Sequence, residues 1–444
     1  MKKKIIKAEL SAGYRDFLPE TMIPRQAILD TIRGVFELYG FSPIETPGIE
    51  KEEILTGGDE GFSKQLFRIA RNEGSEPLAL RFDLTVPLAR VIAQYPNELK
   101  RPFKRYQIGR VWRGERSQAG RYREFTQFDA DIVGSGSMMA DAEIIALMYA
   151  VMKALKIENF KIRVNHRKIL NGLPDYAGFP KEKIAEVLRA IDKLDKRGWG
   201  AVEEELKSTG FSGKQVDALK TFVDLLGKTS TDTLAQLKKL MKGSPLAEDG
   251  VRELEEIISN VAALGVPERA WAVDLSVARG LGYYTGPVFE TTLTDLPDIG
   301  SVFSGGRYDG LVERFSPTAV SATGASVGVD RLFAALEKLG KIKKDQTVAK
   351  VMILNFDSAA REYVQEVATG LRGEGITTEI YLGGEELLKG QLAFALKTGI
   401  PIILIAGEDE MKKKTVQIKN IVAHSQEEVK ISEAPKSIRS ILKK

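Results

Sequence analysis

Two stretches decide how this chain folds: Phe103-Lys-Arg-Tyr-Gln-Ile-Gly-Arg-Val-Trp112 and Glu124-Phe-Thr-Gln-Phe-Asp-Ala-Asp-Ile-Val133. Both are rich in aromatic and β-branched residues and read as strands. Successive strand side chains point to opposite faces, so Phe125, Gln127, Asp129 and Asp131 share one side of the second strand. That side is largely polar. It is either the floor of a ligand site or a sheet face open to water. Between the strands runs Arg113-Gly-Glu-Arg-Ser-Gln-Ala-Gly-Arg-Tyr-Arg123, and Arg101, Lys104, Arg105 and Arg110 add to its charge. Guanidinium forks match phosphate oxygens bidentately. A solvated hairpin tip is the alternative, but the interleaved Trp112, Tyr122 and Phe125 favour a nucleotide or nucleic-acid site.

Working outward, Pro24 to Tyr39 has the apolar spacing of an amphipathic helix, with Gly40 as its stop. Phe41 to Pro47 reads as an edge strand because two prolines interrupt it. Leu78 to Phe82 predicts a further strand and Met138 to Leu155 a helix. From about Lys168 to Gly265 the chain turns to short helices rich in Lys and Glu, a helical module set between strand-rich blocks. Strand patterns return at Val273 to Ser276, Val288 to Thr292 and Gly300 to Gly305. Glu337 to Asp345 reads as a polar linker. Beyond it, strands at Val348 to Leu354, Thr378 to Leu382 and Pro401 to Ala406 alternate with helices at Ala359 to Leu371 and Glu385 to Thr398. That rhythm predicts a separate α/β domain with a partly parallel sheet.

Composition removes several classes. The 444 residues suggest two or three domains. With 65 Lys+Arg against 61 Asp+Glu, the net charge of +4 requires any nucleic-acid contact to be made by local patches. In residues 349–444 fourteen Lys/Arg face thirteen Asp/Glu, and the positive charge gathers at Lys412 to Lys414 and Lys436 to Lys444. There is no Cys, which excludes a thiolate nucleophile, a Cys-ligated zinc and an iron–sulfur cluster; two His exclude a multi-His metal centre. No metal is assigned to protein side chains. The apolar stretch Ile5-Ile6 is too short for a signal peptide, and no segment approaches the ~20 apolar residues of a membrane span, so a cytoplasmic protein is expected. Neither Gly-x-Gly-x-x-Gly nor Gly-x4-Gly-Lys-Ser/Thr occurs, so phosphate would have to be handled by arginine.

Three further runs stand out. Ala278-Arg-Gly-Leu-Gly-Tyr-Tyr-Thr-Gly286 combines glycines with paired tyrosines, as a pocket wall or a tight turn would. Ser304-Gly-Gly-Arg-Tyr-Asp-Gly310 is the second. In the third, Gly324-Ala-Ser-Val-Gly-Val-Asp-Arg-Leu332, a strand passes straight into a helix. Arg331 at that helix start is electrostatically unfavourable unless it meets a bound polyanion or pairs with Asp330. The Gly-x-Ser-x-Gly match at Ser326 lacks the His and acid of a hydrolase.

Together these runs resemble the class II aminoacyl-tRNA synthetases, specifically the histidyl-tRNA synthetase family, over nearly the whole chain. The helix and strand ending at Pro47 resemble motif 1, Phe103 to Val133 motif 2 and Gly324 to Leu332 motif 3. Arg279 to Gly286, Ser304 to Gly310 and Arg81-Phe-Asp-Leu-Thr-Val-Pro87 are similar to the histidine-specific elements. The resemblance implies an α+β catalytic core with an antiparallel sheet, a helical insertion and a C-terminal α/β anticodon-binding domain. The expected boundaries are 1–167 and 269–340 for the core, 168–268 for the insertion and 349–444 for the last domain. It implies ATP and Mg²⁺ as cofactors, and L-histidine, tRNA(His) and a second copy in a homodimer as partners. By the same resemblance, Arg113, Arg121 and Arg331 hold ATP phosphates, Glu115 contacts the adenine and Phe125 stacks on it. Arg279 lies at the α-phosphate and, with Arg113, carries catalysis. Asp83, Thr85, Gln127, Asp131, Arg279, Tyr283, Tyr284 and Tyr308 line the histidine pocket, Asp131 accepting the imidazole N–H. Arg116 and Gln118 meet the tRNA acceptor end. The family run is usually Arg-Gly-Leu-Asp-Tyr-Tyr; Gly282 stands here in place of its carboxylate.

Overall fold

The computed structural model describes residues 6–57, 65–70, 76–115, 122–225, 229–278, 283–384 and 386–443. Its larger sheet has eight strands. In chain order they are β1 (Ser42–Pro43), β5 (Phe103–Trp112), β6 (Glu124–Val133), β7 (Phe160–His166), β8 (Trp271–Val273), β9 (Pro287–Leu293), β10 (Phe303–Arg307) and β11 (Ala322–Gly328). Across the sheet they run β1-β5-β6-β11-β10-β9-β7-β8. The six inner strands are antiparallel, and β1 and β8 add to the two edges in parallel. The proline-bearing segment is thus an edge strand, where its missing N–H breaks no ladder. A small sheet of β2 (Ile49–Lys51), β3 (Phe67–Arg68) and β4 (Leu78–Leu80) stands apart.

Both strands expected around the basic loop run over the same residues in the structure. The helix expected from Pro24 begins earlier and spans Pro19–Leu38, with Pro24 inside it. Pro19 is suited to a first helical position, and the bonds from Thr21 and Met22 N–H to Leu18 O close the turn ahead of Pro24. The helix Met138–Ala154 is capped by Ser137, whose Oγ accepts from Met139 N–H at 3.2 Å. Its buried residues lie around most of its circumference, from Met138 to Met152. Among the described residues the elements between β7 and β8 are all helices, the longest being Leu194–Ser208, bent at Gly198, and Pro245–Ala263. A partly buried clamp ties this stretch to β7. Glu253 receives His166 Nε2 at 2.8 Å and Lys168 Nζ at 2.5 Å, while His166 Nδ1 accepts from Lys168 N–H.

The chain divides into two compact units, Met1–Arg15 with Ile28–Lys341, and Asp16–Ala27 with Ile342–Lys444. The C-terminal unit carries a five-stranded sheet. Its strands β12 (Val351–Ile353), β13 (Thr378–Ile380) and β14 (Ile402–Ile405) are parallel, and β15 (Thr415–Asn420) and β16 (Ser425–Lys430) close it as an antiparallel hairpin. Its two faces bury separate cores. Val351, Ile353, Ile402 and Leu404 pack with Val364, Val367 and Ile438 on one side; Met352, Leu354 and Ile403 pack with Ala395 and Tyr381 on the other. Strands buried on both faces read as continuous apolar runs, as Ile402 to Ile405 does.

Candidate active site

Strand register brings polar residues from five strands into rows. Glu290 on β9 is paired with Ser304 on β10, Ser304 with Ser326 on β11, Ser326 with Asp129 on β6, and Asp129 with Gln107 on β5. The next row runs Val288, Gly306, Gly324, Asp131 and Arg105. Two glycines in it are there for space. A Cβ on Gly324 would come within 2.0 Å of Asp131 Oδ1, and one on Gly306 within 2.9 Å of the Tyr284 ring. The rows form the floor of a cleft with two lobes.

The first lobe, about 280 Å³, is lined by Thr85, Gln127, Asp129, Asp131, Tyr283, Tyr284 and Tyr308 among others. The second, about 250 Å³, is lined by Glu115, Tyr122, Phe125, Gly328 and Asp330. Arg113, Gln127, Ser301, Ser304, Ser326 and Arg331 border both, so the lobes are one continuous site. The second lobe is aromatic and cationic. The Arg113 guanidinium lies 5.1 Å from the Phe125 ring centre and donates through Nε to Phe82 O at 3.1 Å. Arg331 Nη1 donates to Ser301 O at 2.6 Å.

Asp330 is held by residues of other elements. It is buried, accepts from Thr126 N–H at 2.7 Å and forms an ion pair with Arg15, whose guanidinium stacks 4.0 Å over the Tyr122 ring. Arg331, on the helix Val329–Lys338, lines the cleft. One carboxylate therefore ties the residue after Phe125 to the residue before Arg331.

The first lobe is acidic. Arg105 is fully buried, with Nη2 2.7 Å from Asp131 Oδ2, and Tyr308 donates to Asp131 Oδ1 at 2.5 Å. Asp83 stands one layer back. It accepts from Val86 N–H at 3.0 Å, at the start of the helix Thr85–Gln94, and from the Tyr283 hydroxyl at 3.4 Å. Burial pushes the Asp83 carboxyl up, against the Val86 N–H and Arg113. Burial and the neighbouring Asp131 push Asp129 up to about 7, with Arg105 opposing. Burial, then nearby carboxylates, keep Tyr283, Tyr284 and Tyr308 well above the usual phenol range, so their hydroxyls remain donors. The tyrosines pack edge to face, Tyr283 with Tyr284 at 5.1 Å and with Tyr308 at 6.0 Å.

Of the residues singled out in the sequence, Arg113, Glu115, Phe125, Arg331, Thr85, Gln127, Asp131, Tyr283, Tyr284 and Tyr308 line this cleft, and Asp83 backs it. Arg116, Gln118, Arg121, Arg279 and Gly282 lie outside the described residues. Asp129, Glu290, Ser301, Ser304 and Ser326 also line it without having been assigned a part. For Asp129 the signal was present in the alternation of β6.

A family model described as Histidyl-tRNA synthetase matches residues 13–332, and one described as Anticodon binding domain matches residues 350–441. Histidine--tRNA ligase of Clostridium tetani is 41% identical over 99% of this chain and 100% of its own length. That of Wolinella succinogenes is 45% identical over 92% and 93%. The crystal structure of histidyl-tRNA synthetase from Nostoc sp. PCC 7120 superposes with a TM-score of 0.88 at 34% identity, covering 98% of this chain and 100% of that one. With arginines at both lobes of one cleft and this similarity along its whole length, the chain belongs to the histidyl-tRNA synthetase family.

Proposed function

We infer that this chain activates L-histidine with ATP to histidyl-adenylate and transfers the histidyl group to the 3′-terminal ribose of tRNA(His). The observation that carries this reading is the shared border of the two lobes, where Arg113 and Arg331 stand beside a pocket of tyrosines and carboxylates. In activation the histidine carboxylate attacks the α-phosphorus, a new P–O bond forms and the bond to the pyrophosphate oxygen breaks. Charge spreads over phosphoryl oxygens, so catalysis is positioning and electrostatic stabilisation, which fixed guanidiniums supply. In transfer a ribose hydroxyl attacks the anhydride carbonyl and AMP leaves.

The roles of individual residues form part of the reading. Arg113, Arg121 and Arg331 hold the phosphates, Phe125 stacks on adenine with Glu115 at its edge, and Arg279 stabilises the α-phosphate. The tyrosines and Asp131 meet the imidazole, whose one N–H and one bare nitrogen require one acceptor and one donor. Arg116 and Gln118 face the acceptor end of the tRNA. Mg²⁺ would be carried mainly on the ATP phosphates, offsetting their charge; the oxygens of Glu290, Ser301 and Ser304 suit such a hard cation. Residues 168–268 form the insertion between the core parts 1–167 and 269–340, and 349–444 the anticodon-binding domain.

A cytoplasmic homodimer completes the proposal. Leu38 is 85% exposed and Ile49 47%, apolar surface that a second copy would cover. Light scattering at a monomer mass would remove that part. The central test is pyrophosphate exchange into ATP with each of the twenty amino acids; exchange is expected with histidine alone. Exchange with another amino acid, or with none, would refute the reading.

A further inference from the structure

We propose that Asp195 is a positioning residue for the activation step: from the helical stretch between β7 and β8 it holds the Arg163 guanidinium off Glu290, and so leaves that carboxylate to the hard cation carried on ATP. The inference rests on the reading of Glu290 as an oxygen donor to that cation. The polar row of the cleft floor runs Gln107, Asp129, Ser326, Ser304 and Glu290, and it does not end there. Across β7 and β9 the register partner of Glu290 is Arg163. Cross-strand partners share a face of the sheet, so a cation stands next to the last acid of the floor. The two side chains are only 11% and 5% exposed.

An opposed Arg and Glu ordinarily close to about 2.7–2.9 Å. Here Nη1 stays 3.6 Å from Glu290 Oε2. The guanidinium is engaged elsewhere. Its Nε donates to Asp274 Oδ2 at 2.6 Å and its Nη2 to Ser276 Oγ at 2.6 Å. Asp195 takes the outer edge with both oxygens, Oδ2 accepting from Nη1 at 2.6 Å and Oδ1 from Nη2 at 3.2 Å. These four bonds engage four of the five N–H groups of an arginine. Asp274 is fixed in turn, because its Oδ1 accepts from the N–H and the hydroxyl of Ser276. Asp274 and Ser276 follow directly on β8. Asp195 comes from outside the sheet, from the first turn of the helix Leu194–Ser208, and its side chain is half-exposed.

Nη1 therefore lies between two carboxylates, bonded to Asp195 and held short of Glu290. Without Asp195 it loses its acceptor, and a movement of less than about 1 Å would bond it to Glu290 instead. Glu290 lines the cleft beside Ser301 and Ser304. A hard cation takes oxygen ligands, carboxylates above all, and a guanidinium on the same oxygens competes with it. Asp195 thus acts on the cleft through Arg163, without touching it. The helical stretch is in this way part of the charge balance around the ATP-borne cation.

The test uses the full-length protein and two readouts, retention of labelled ATP in equilibrium dialysis and histidine-dependent pyrophosphate exchange, each as a function of free Mg²⁺. Asp195→Ala should raise the half-saturating Mg²⁺ concentration in both by about 3- to 10-fold, the range of one partly exposed charge contact, and leave KM for histidine unchanged. Asp195→Glu, which keeps the charge, should restore the wild-type requirement. The deciding comparison is suppression. Once Arg163→Gln has removed the guanidinium, adding Asp195→Ala should raise the Mg²⁺ requirement no further. An unchanged requirement in Asp195→Ala overturns the inference. So does a double variant as demanding as Asp195→Ala alone, which would make Asp195 a mere fastening of the helices. If the Arg163 variants do not fold, Asp195→Glu decides, and its failure to restore the requirement overturns the inference. Glu290→Gln with a wild-type Mg²⁺ requirement would instead refute the reading of Glu290 itself.

Discussion

The two larger sheets of this protein treat charge in opposite ways. On β14, Ile402 to Ile405 are apolar on both faces and fill two cores. On β6, Gln127, Asp129 and Asp131 occupy one face, deep in the protein, with Arg105 fully buried beside them. Replacing such a buried ion pair by apolar side chains is often neutral or stabilising. The C-terminal sheet is what a strand sequence becomes when stability alone decides. The floor of the cleft is what it becomes when something has to bind there.

That contrast can be tested from both ends. Asp131→Asn would remove the carboxylate charge 2.7 Å from the buried Arg105 guanidinium. A loss of about 3–5 kcal/mol of stability is expected, together with collapse of histidine-dependent exchange. Urea unfolding with an unchanged midpoint would mean that the pair contributes nothing. Leu404→Ala removes a buried apolar side chain from the other sheet and should destabilise its unit by about 2–5 kcal/mol. Here pyrophosphate exchange without tRNA should keep its wild-type rate, since among the described residues none lining the cleft lies in 342–444. A comparable loss of exchange would show that the two cores are not independent.

The smallest effect concerns a third arrangement, a charge cluster that is only partly buried. Burial alone would raise the Glu253 carboxyl, but the His166 and Lys168 partners pull it down to about 2. A carboxylate lowered on folding contributes stability that is fully present above its ordinary value and is lost as pH falls towards the lowered one. Wild type should therefore melt slightly above Glu253→Gln near pH 7, and the gap should close as pH falls below about 4.5. A gap that widens on acidification would reverse the assignment.

Much of this was legible in the sequence where local pattern and tertiary role agree. β5 and β6 were, because their alternation is long and their turn is basic. So were the C-terminal strands β12 and β14, whose apolar runs have no other use. The short strands β2 and β3 were not, since two or three residues carry no period. Nor was β16, Ser425–Lys430, which is polar and mostly exposed and is a strand only because β15 pairs with it. In the cleft, the polar face of β6 was readable, but which of its acids is already satisfied was not. That depends on Tyr308 and Arg105 arriving from other strands, and no spacing along one segment encodes it. The pairing of Asp330 with Arg15 is of the same kind, being set by residues 315 positions apart.

The edge where β7 meets β8 has a consequence for how the chain tolerates change. Ile162 and Trp271 are register partners on neighbouring parallel strands, so the helical stretch leaves at the end of β7 and returns to the start of β8, its neighbour in the sheet. Parallel neighbours need some crossover of about a dozen residues or more, and this one is simply far longer than the minimum. The sheet is indifferent to the excess. Helices can be added to or trimmed from the middle of that excursion without shifting any strand by a residue, so variation in length among relatives has a natural outlet here.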